Sequence, residues 1–431
     1  MKFWEEELKK YDRRLKKIEE TPDPTKLKSN MLLYRLWRDY RSHQLSVWDA
    51  GEPFAYTGGG VPFKLVRAMG LHSCSLGIEG DRAGKLSEKY FATVRKLGYP
   101  DHGCDRIMAG LGMVLAEEMP RPAIVIAANC PCDPEHLSAE ALRDTFGCPS
   151  FAIDVPGKND DWALEYVTGQ LHDMIKFIEQ EVPGTKYNEN ALKQFQELWF
   201  RQHKALRDVY ELKKVVPCPL AASDTFRLPP LEIVHDPRVA EYAEMYRDEL
   251  TERVRNGFGA VAGERLRLAW LVSGPFFADP WTFLANLGVA VPFFEFGMAG
   301  YTFGFSQSDP WKEASEKREL SPLEEEARFG MTNSWNGSAD RRIADLITVS
   351  RDLKIDVLVH YQLWGCSPLL ASSKLLADRA MEELGIPSLF LEGSSLDENK
   401  MDITKLKAKL GDFVAINLEQ DKEFLSAGNI K

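Results

Sequence analysis

Ala123-Ile-Val-Ile-Ala-Ala-Asn-Cys130-Pro-Cys132-Asp-Pro134 is the stretch that decides the fold. The apolar run 123–128 reads as a buried strand, the cysteine- and proline-bearing turn follows, and 135–146 reads as a helix. A strand that empties into a cysteine loop places sulfur at the carboxyl edge of an α/β sheet, where such folds hold their ligands. A second loop of this kind lies far downstream. Residues 355–359 read as a strand leading into His360-Tyr-Gln-Leu-Trp-Gly-Cys366-Ser-Pro and another helix.

Working outward, residues 70–155 alternate strand and helix, as in a parallel sheet. Upstream, Trp4, Leu8, Tyr11, Leu15 and Ile18 recur at helical spacing between charges, which predicts an amphipathic helix over 3–20 packing on its own domain. A second helix is expected over 28–48. The glycines at 58–60 lack the G-x-G-x-x-G spacing and no strand clearly precedes them, so they read as a flexible entry to a helix. Residues 160–260 read as mostly helical, with segments at 162–181, 189–215 and 240–256. A second α/β unit begins at the strand 267–273 and ends in strand-loop-helix-strand-helix. Within it the glycine-rich loop 295–307 carries Phe296, Tyr301, Phe303 and Phe305, while the charged stretch 310–328 suits a solvated surface excursion. The fold class is therefore α/β: two Rossmann-like parallel-sheet units with a helical lobe between them. The expected divisions are N-terminal helices over 1–50, a first α/β domain over 51–158, the lobe over 159–262 and a second α/β domain over 263–431.

A chain of 431 residues has room for two or three such units. Its net charge of −11 leaves no basic surplus to neutralise phosphates, which argues against a general nucleic-acid binder. No apolar run approaches the ~20 residues that cross a bilayer, and the start, Met-Lys-Phe-Trp-Glu-Glu-Glu, is unlike a signal peptide. A cytoplasmic protein is expected. There, seven cysteines are thiols or metal ligands rather than a disulfide framework.

Thiolates from separate loops can hold a 4Fe–4S cluster and leave one iron open. Cys104, Cys132 and Cys366 are the candidates, each beside the start of a helix, where anionic sulfur is favoured. The spacing has neither paired C-x-x-C knuckles nor a ferredoxin run, so on spacing alone packing thiols remain the alternative. Cys74, Cys148 and Cys218 read as packing residues; Cys130 reads either as a spare ligand or as a packing thiol. His102 and His360, close in sequence to candidate ligands, are candidates for orienting a carbonyl or shuttling a proton. Asp133 is placed for helix capping.

Three motifs go further. Pro62-Phe-Lys-Leu-Val-Arg-Ala-Met-Gly70, then Cys104-Asp-Arg with Cys132-Asp and Phe151-Ala-Ile-Asp-Val-Pro156, then His360 to Cys366 with Gly385-Ile-Pro-Ser-Leu-Phe-Leu-Glu392, resemble the catalytic-component family of 2-hydroxyacyl-CoA dehydratases and ATP-dependent benzoyl-CoA reductases. The resemblance implies a 4Fe–4S cluster on Cys104, Cys132 and Cys366. It implies a related or identical catalytic subunit as partner and an ATP-hydrolysing iron–sulfur activator as electron source. It also implies ketyl radical chemistry on an acyl-CoA thioester, with dehydration of a 2-hydroxyacyl-CoA leading and aromatic acyl-CoA reduction next. Lys64 stands where the family usually has glutamate, the 391–398 segment lacks the usual aspartate–arginine ending, and the extra Cys130 leaves a double-cubane 8Fe–9S cluster open. A metal-binding protein without turnover, or a metal-free α/β enzyme, are the competing readings.

Overall fold

The computed structural model describes residues 2–23, 26–100, 103–130, 132–225, 228–296 and 320–427. Strands β1 (Phe54–Thr57), β2 (His72–Ser75), β3 (Ile124–Ala128) and β4 (Ser150–Ile153) form one sheet in the order β2-β1-β3-β4. Strands β5 (Leu266–Val272), β6 (Val289–Phe294), β7 (Val357–Leu363) and β8 (Ser388–Gly393) form a second in the order β6-β5-β7-β8. Every pairing in both is parallel. The two orders are the same, so each sheet reverses direction between its first and third strands. Such reversals open a crevice beyond the carboxyl ends of those strands.

The central strands are apolar along their length because helices cover both faces. In β3, Ile124, Ile126 and Ala128 enter one core and Val125 and Ala127 the other. In β7, Val357 and Val359 face one side and Leu358 the opposite one. Among the described residues no helix is long and apolar enough to cross a membrane.

The helices Phe3–Glu20 and Ser29–Asp49 pack on each other, and the first buries Trp4 in the core of the first unit. Helices Asp161–Glu181, Glu189–Leu212 and Arg238–Arg255 lie between the two sheets in sequence. Asp160 and Asn188 cap the first two, accepting hydrogen bonds from the backbone N–H of Ala163 at 2.9 Å and of Ala191 at 3.0 Å.

Three expectations are corrected. A strand does precede the glycine loop: β1 ends at Thr57, directly before Gly58. With only four residues, it offers too short a pattern to recognise. β7 continues through Leu363, so His360 lies inside the strand and not in the loop after it. Of the stretch expected to be a solvated excursion, residues 320–328 belong largely to a buried element. Helix Pro322–Met331 is fixed by a capping box between Ser321 and Glu324, and with Leu320 it sends Leu323, Ala327 and Met331 into the core of the first unit. Its charges disguise an apolar face at helical spacing. Residues 310–319, and with them Tyr301, Phe303 and Phe305 of the aromatic loop, lie outside the described residues.

Candidate active site

Each candidate cysteine is the N-cap of a helix. Cys104 opens Asp105–Leu115, Cys132 opens Asp133–Phe146 and Cys366 opens Ser367–Leu384. The cap expected of Asp133 is thus taken by Cys132. After Cys132 and Cys366 the sequence repeats a device, Cys-Asp-Pro and Cys-Ser-Pro, with the proline in the first turn. Proline has no N–H to leave unmet there. In all three helices the N–H three residues on, from Ile107, Glu135 and Leu369, lies near enough to sulfur to ease loss of its proton, without closing a full capping hydrogen bond.

The fold brings these three thiols together. Cys132 and Cys366 follow the third strands of the two sheets, and the thiols lie within electrostatic reach: a negative charge on Cys366 bears on Cys104, and charges on both bear on Cys132. Burial dominates their proton affinity, pushing Cys104 up to about 12 and raising Cys132 and Cys366 as well. Among the described residues, no three His, Cys, Asp or Glu side chains close tightly enough to hold a single metal ion. Cys130 sits apart. Its buried thiol donates to the Gly330 carbonyl at 3.6 Å and belongs to the core beneath helix Pro322–Met331. Cys74, Cys148 and Cys218 are buried.

What holds the junction is a set of contacts far apart in sequence. Asp105, next to Cys104, accepts hydrogen bonds from Ser394 Oγ and, at 3.2 Å, from the Ser395 N–H. Lys400 Nζ lies 3.7 Å from the same carboxylate. The 391–398 segment, which departs from the family ending, therefore anchors the Cys104 helix to the second unit. Behind Cys366, Glu295 and Arg342 form a buried bidentate pair at 2.7 and 2.9 Å. Glu295 also accepts from the Val272 N–H at 2.7 Å and Trp335 Nε1 at 3.1 Å, and Arg342 donates to the Leu369 carbonyl in the Cys366 helix. These hydrogen bonds and the arginine charge hold the Glu295 carboxyl low despite the opposing effect of burial. Val272 takes φ +73, rare for a β-branched residue, where its N–H meets Glu295.

A cavity of about 550 Å³ adjoins the cysteines. Its floor is made by the glycines 58–60, Arg106 and Glu135, and Phe276, Phe294, Phe296 and Trp335 wall one side. Gly60 has φ +78, and a Cβ there would meet the Cys130 carbonyl oxygen at 2.4 Å, so only glycine lets this loop lie on the cysteine loop. Arg106 donates Nε to Asp81 at 2.6 Å and lies 4.0 Å over the Phe296 ring. Gly80 makes that arrangement possible: a Cβ there would overlap the Arg106 carbonyl oxygen. Burial pushes Glu135 up to about 7, opposed by the Arg106 charge and by a hydrogen bond from the Gly59 N–H.

A family model, 2-hydroxyglutaryl-CoA dehydratase, D-component, matches residues 59–416. The match spans the glycine loop, all three capping cysteines and both sheets from β2 onward. The chain belongs to that family. As a D-component family member it is a catalytic component of the dehydratase type. No curated protein matches the chain. The two N-terminal helices and β1 lie ahead of the matched D-component region.

Of the two histidines singled out, His102 lies outside the described residues. His360 is fully buried, stacked on Phe390 at 4.6 Å and 14°, with Nε2 3.2 Å from Ser388 Oγ. It is not part of the cavity wall. Burial, with the Arg342 charge, lowers its pKa to about 4. Three of the polar groups that do line the cavity, Glu135 and Arg106 with its partner Asp81, were not singled out as a site. Their only signal in the sequence was nearness to Cys132 and Cys104. Lys64, at the family's usual glutamate, is buried 3.3 Å from Glu326 and lies over the rings of Phe63, Trp199 and Phe329.

Proposed function

We propose that this chain is the cluster-bearing catalytic subunit of a radical acyl-CoA dehydratase, with a 4Fe–4S cluster on Cys104, Cys132 and Cys366, converting a 2-hydroxyacyl-CoA to the enoyl-CoA. The observation that carries the reading is the convergence of three helix-capping cysteines, from two α/β units, around Arg106 and Glu135, which line one cavity. The donors fit such a group. Soft sulfur selects iron–sulfur clusters, zinc or copper(I) over hard cations. Three thiols at the starts of three helices match a cluster in which each iron takes its own sulfur. Held by Cys104, Cys132 and Cys366, such a cluster would supply a low-potential electron and Lewis-acid chemistry.

The chain's own residues bind and orient. Arg106 commits Nε to Asp81, which fixes its plane and leaves its Nη donors for the thioester oxygen. The side-chain-free wall at 58–60 lets the substrate backbone lie close to the floor. Glu135, across that wall, receives the C3 proton. Loss of water breaks one C–O and one C–H bond and is redox-neutral overall, so the electron introduced at the start is recovered. An ATP-dependent iron–sulfur activator supplies that first electron, and a related or identical catalytic subunit completes the assembly. The aromatic wall of Phe276, Phe294, Phe296 and Trp335 supports a second reading, reduction of an aromatic acyl-CoA.

The test is iron and acid-labile sulfide per chain on protein purified without oxygen, followed by turnover with a reduced activator. About four irons, with an enoyl product from a 2-hydroxyacyl-CoA, is the expected result. A dienoyl product from benzoyl-CoA would select the second reading. No iron after anaerobic reconstitution would remove both.

A further inference from the structure

The cavity that begins beside the cysteines does not end there. It runs out to the two N-terminal helices, where Lys10, Arg14, Tyr34 and Arg82 complete its lining. These helices precede the region matched by the family model, whereas Arg82, at the end of helix Leu76–Arg82, lies within it. The lining is zoned. Its floor is polar, its waist is apolar with Leu33, Val61, Ile78 and Pro230, and its mouth combines cations and aromatic rings with the Glu232 carboxylate.

Two of the cations at the mouth, Arg14 and Arg82, rest on aromatic rings. Arg14 is exposed and lies over the rings of Tyr34 and Tyr11 at 5.3 and 5.8 Å, with no ion pair among the described residues. Arg82 lies flat over Trp37 at 3.7 Å and donates one N–H to Tyr11 Oη at 2.8 Å. It too has no ion pair among the described residues, although the Glu7, Asp81 and Glu232 carboxylates lie within electrostatic reach. Lys10 is already matched, 2.6 Å from Glu7. Two ring-supported guanidiniums without an ion pair among the described residues, at the open end of one cavity, leave fork-shaped donors free to receive an anion such as phosphate.

We propose that this mouth binds the phosphate-bearing nucleotide end of the thioester substrate, with Arg14 and Arg82 as the anion contacts. The apolar waist then takes the uncharged arm, and the thioester reaches Arg106 and Glu135 at the floor. The inference rests on the acyl-CoA reading above and places the far end of that substrate.

Titration calorimetry of the full chain with coenzyme A, ADP and ATP, at low and high salt, tests it. Coenzyme A and ADP bind the unaltered protein. Arg14→Ala and Arg82→Ala each weaken both by roughly tenfold to a hundredfold and flatten the salt dependence, whereas Arg13→Ala, an exposed neighbour outside the lining, changes neither. Arg14 is exposed enough that its loss does not threaten folding, which keeps the result interpretable if Arg82→Ala is unstable. Unchanged coenzyme A affinity in Arg14→Ala would overturn the inference and leave the thioester reading standing. Binding of ATP without coenzyme A would overturn it in favour of a free-nucleotide site. Failure of coenzyme A and of any acyl-CoA to bind the unaltered protein would remove the inference and the reading together.

Discussion

The two α/β units share a strand order and a Cys-x-Pro helix start after their third strand, yet they use the crevice at the strand reversal in opposite ways. In the first unit the loop after the opening strand is three glycines, and the crevice stays open as the floor of the cavity. In the second, the loop begins at Val272 in the left-handed region, and the space behind it is filled by Glu295, Arg342 and Trp335. One unit presents a site and the other braces it. The same topology thus supplies two equivalent sulfur positions, while local sequence decides which crevice stays open and which is filled.

If the sulfur positions are equivalent, losing either should cost the same. Cys132→Ser and Cys366→Ser, and Cys104→Ser with them, are each expected to abolish nearly all bound iron, read as iron and sulfide per chain. Cys130→Ser and Cys218→Ser should keep it. Iron loss confined to the first unit's two cysteines would break the equivalence outright.

The braced crevice should be the more costly to disturb. Arg342→Ala leaves Glu295 buried and unpaired, for which about 3–5 kcal/mol of destabilisation is expected. Asp81→Ala removes a partner from a more accessible pair and should cost about 1–2 kcal/mol. Denaturant titration of both variants compares them, and equal losses would mean that the first crevice is as tightly braced as the second.

The glycine loop should be intolerant for its own reason. Gly60→Ala combines a positive φ with a clash against backbone, for an expected loss of roughly 1–3 kcal/mol. Gly147→Ala has a similar φ of +65 but open space, and should cost about 1 kcal/mol. Thermal melts that rank Gly147→Ala as the worse would contradict the close approach of the two loops.

The finest contrast is in pH. Burial and nearby Glu79 raise Glu232, in the cavity wall, from 4.5 to about 7. The folded chain therefore holds a proton that the unfolded chain releases, and stability falls as pH rises from 4.5 through 7. His360 is lowered from 6.5 to about 4. There the unfolded chain takes up the proton first, so stability falls as pH drops from 6.5 through 4. Glu232→Gln should flatten the neutral side of the stability profile and His360→Gln the acid side, each by about 1–2 kcal/mol. Parallel shifts in the two variants would contradict this assignment.

Much of this plan was legible in the chain. The apolar run of β3 and the start of β7 announced parallel strands because both faces are covered, and each led directly to a cysteine. Other parts left little trace. β1 is four residues long. Helix Pro322–Met331 hides Leu323, Ala327 and Met331 among glutamates and an arginine, so its composition suggested surface while its spacing suggested core. The hydrogen bonds from Ser394 and Ser395 to Asp105 join residues nearly three hundred positions apart, and no local pattern encodes such a pairing. The cavity floor was half legible, since Arg106 and Glu135 follow the cysteines. The mouth was not, because the aromatic spacing of the first helix reads equally well as ordinary packing.

The placement of helix Pro322–Met331 also bears on how the protein is made. The strands of the first unit are complete once residue 153 has been synthesised, but part of that unit's core arrives only with residues 320–331. On the ribosome the first unit must wait, with apolar surface uncovered, while the helical lobe and half of the second sheet emerge. A gene cut between the units would yield a first half lacking part of its own interior. The two halves look like a duplicated pair, but they mature as one cooperative piece.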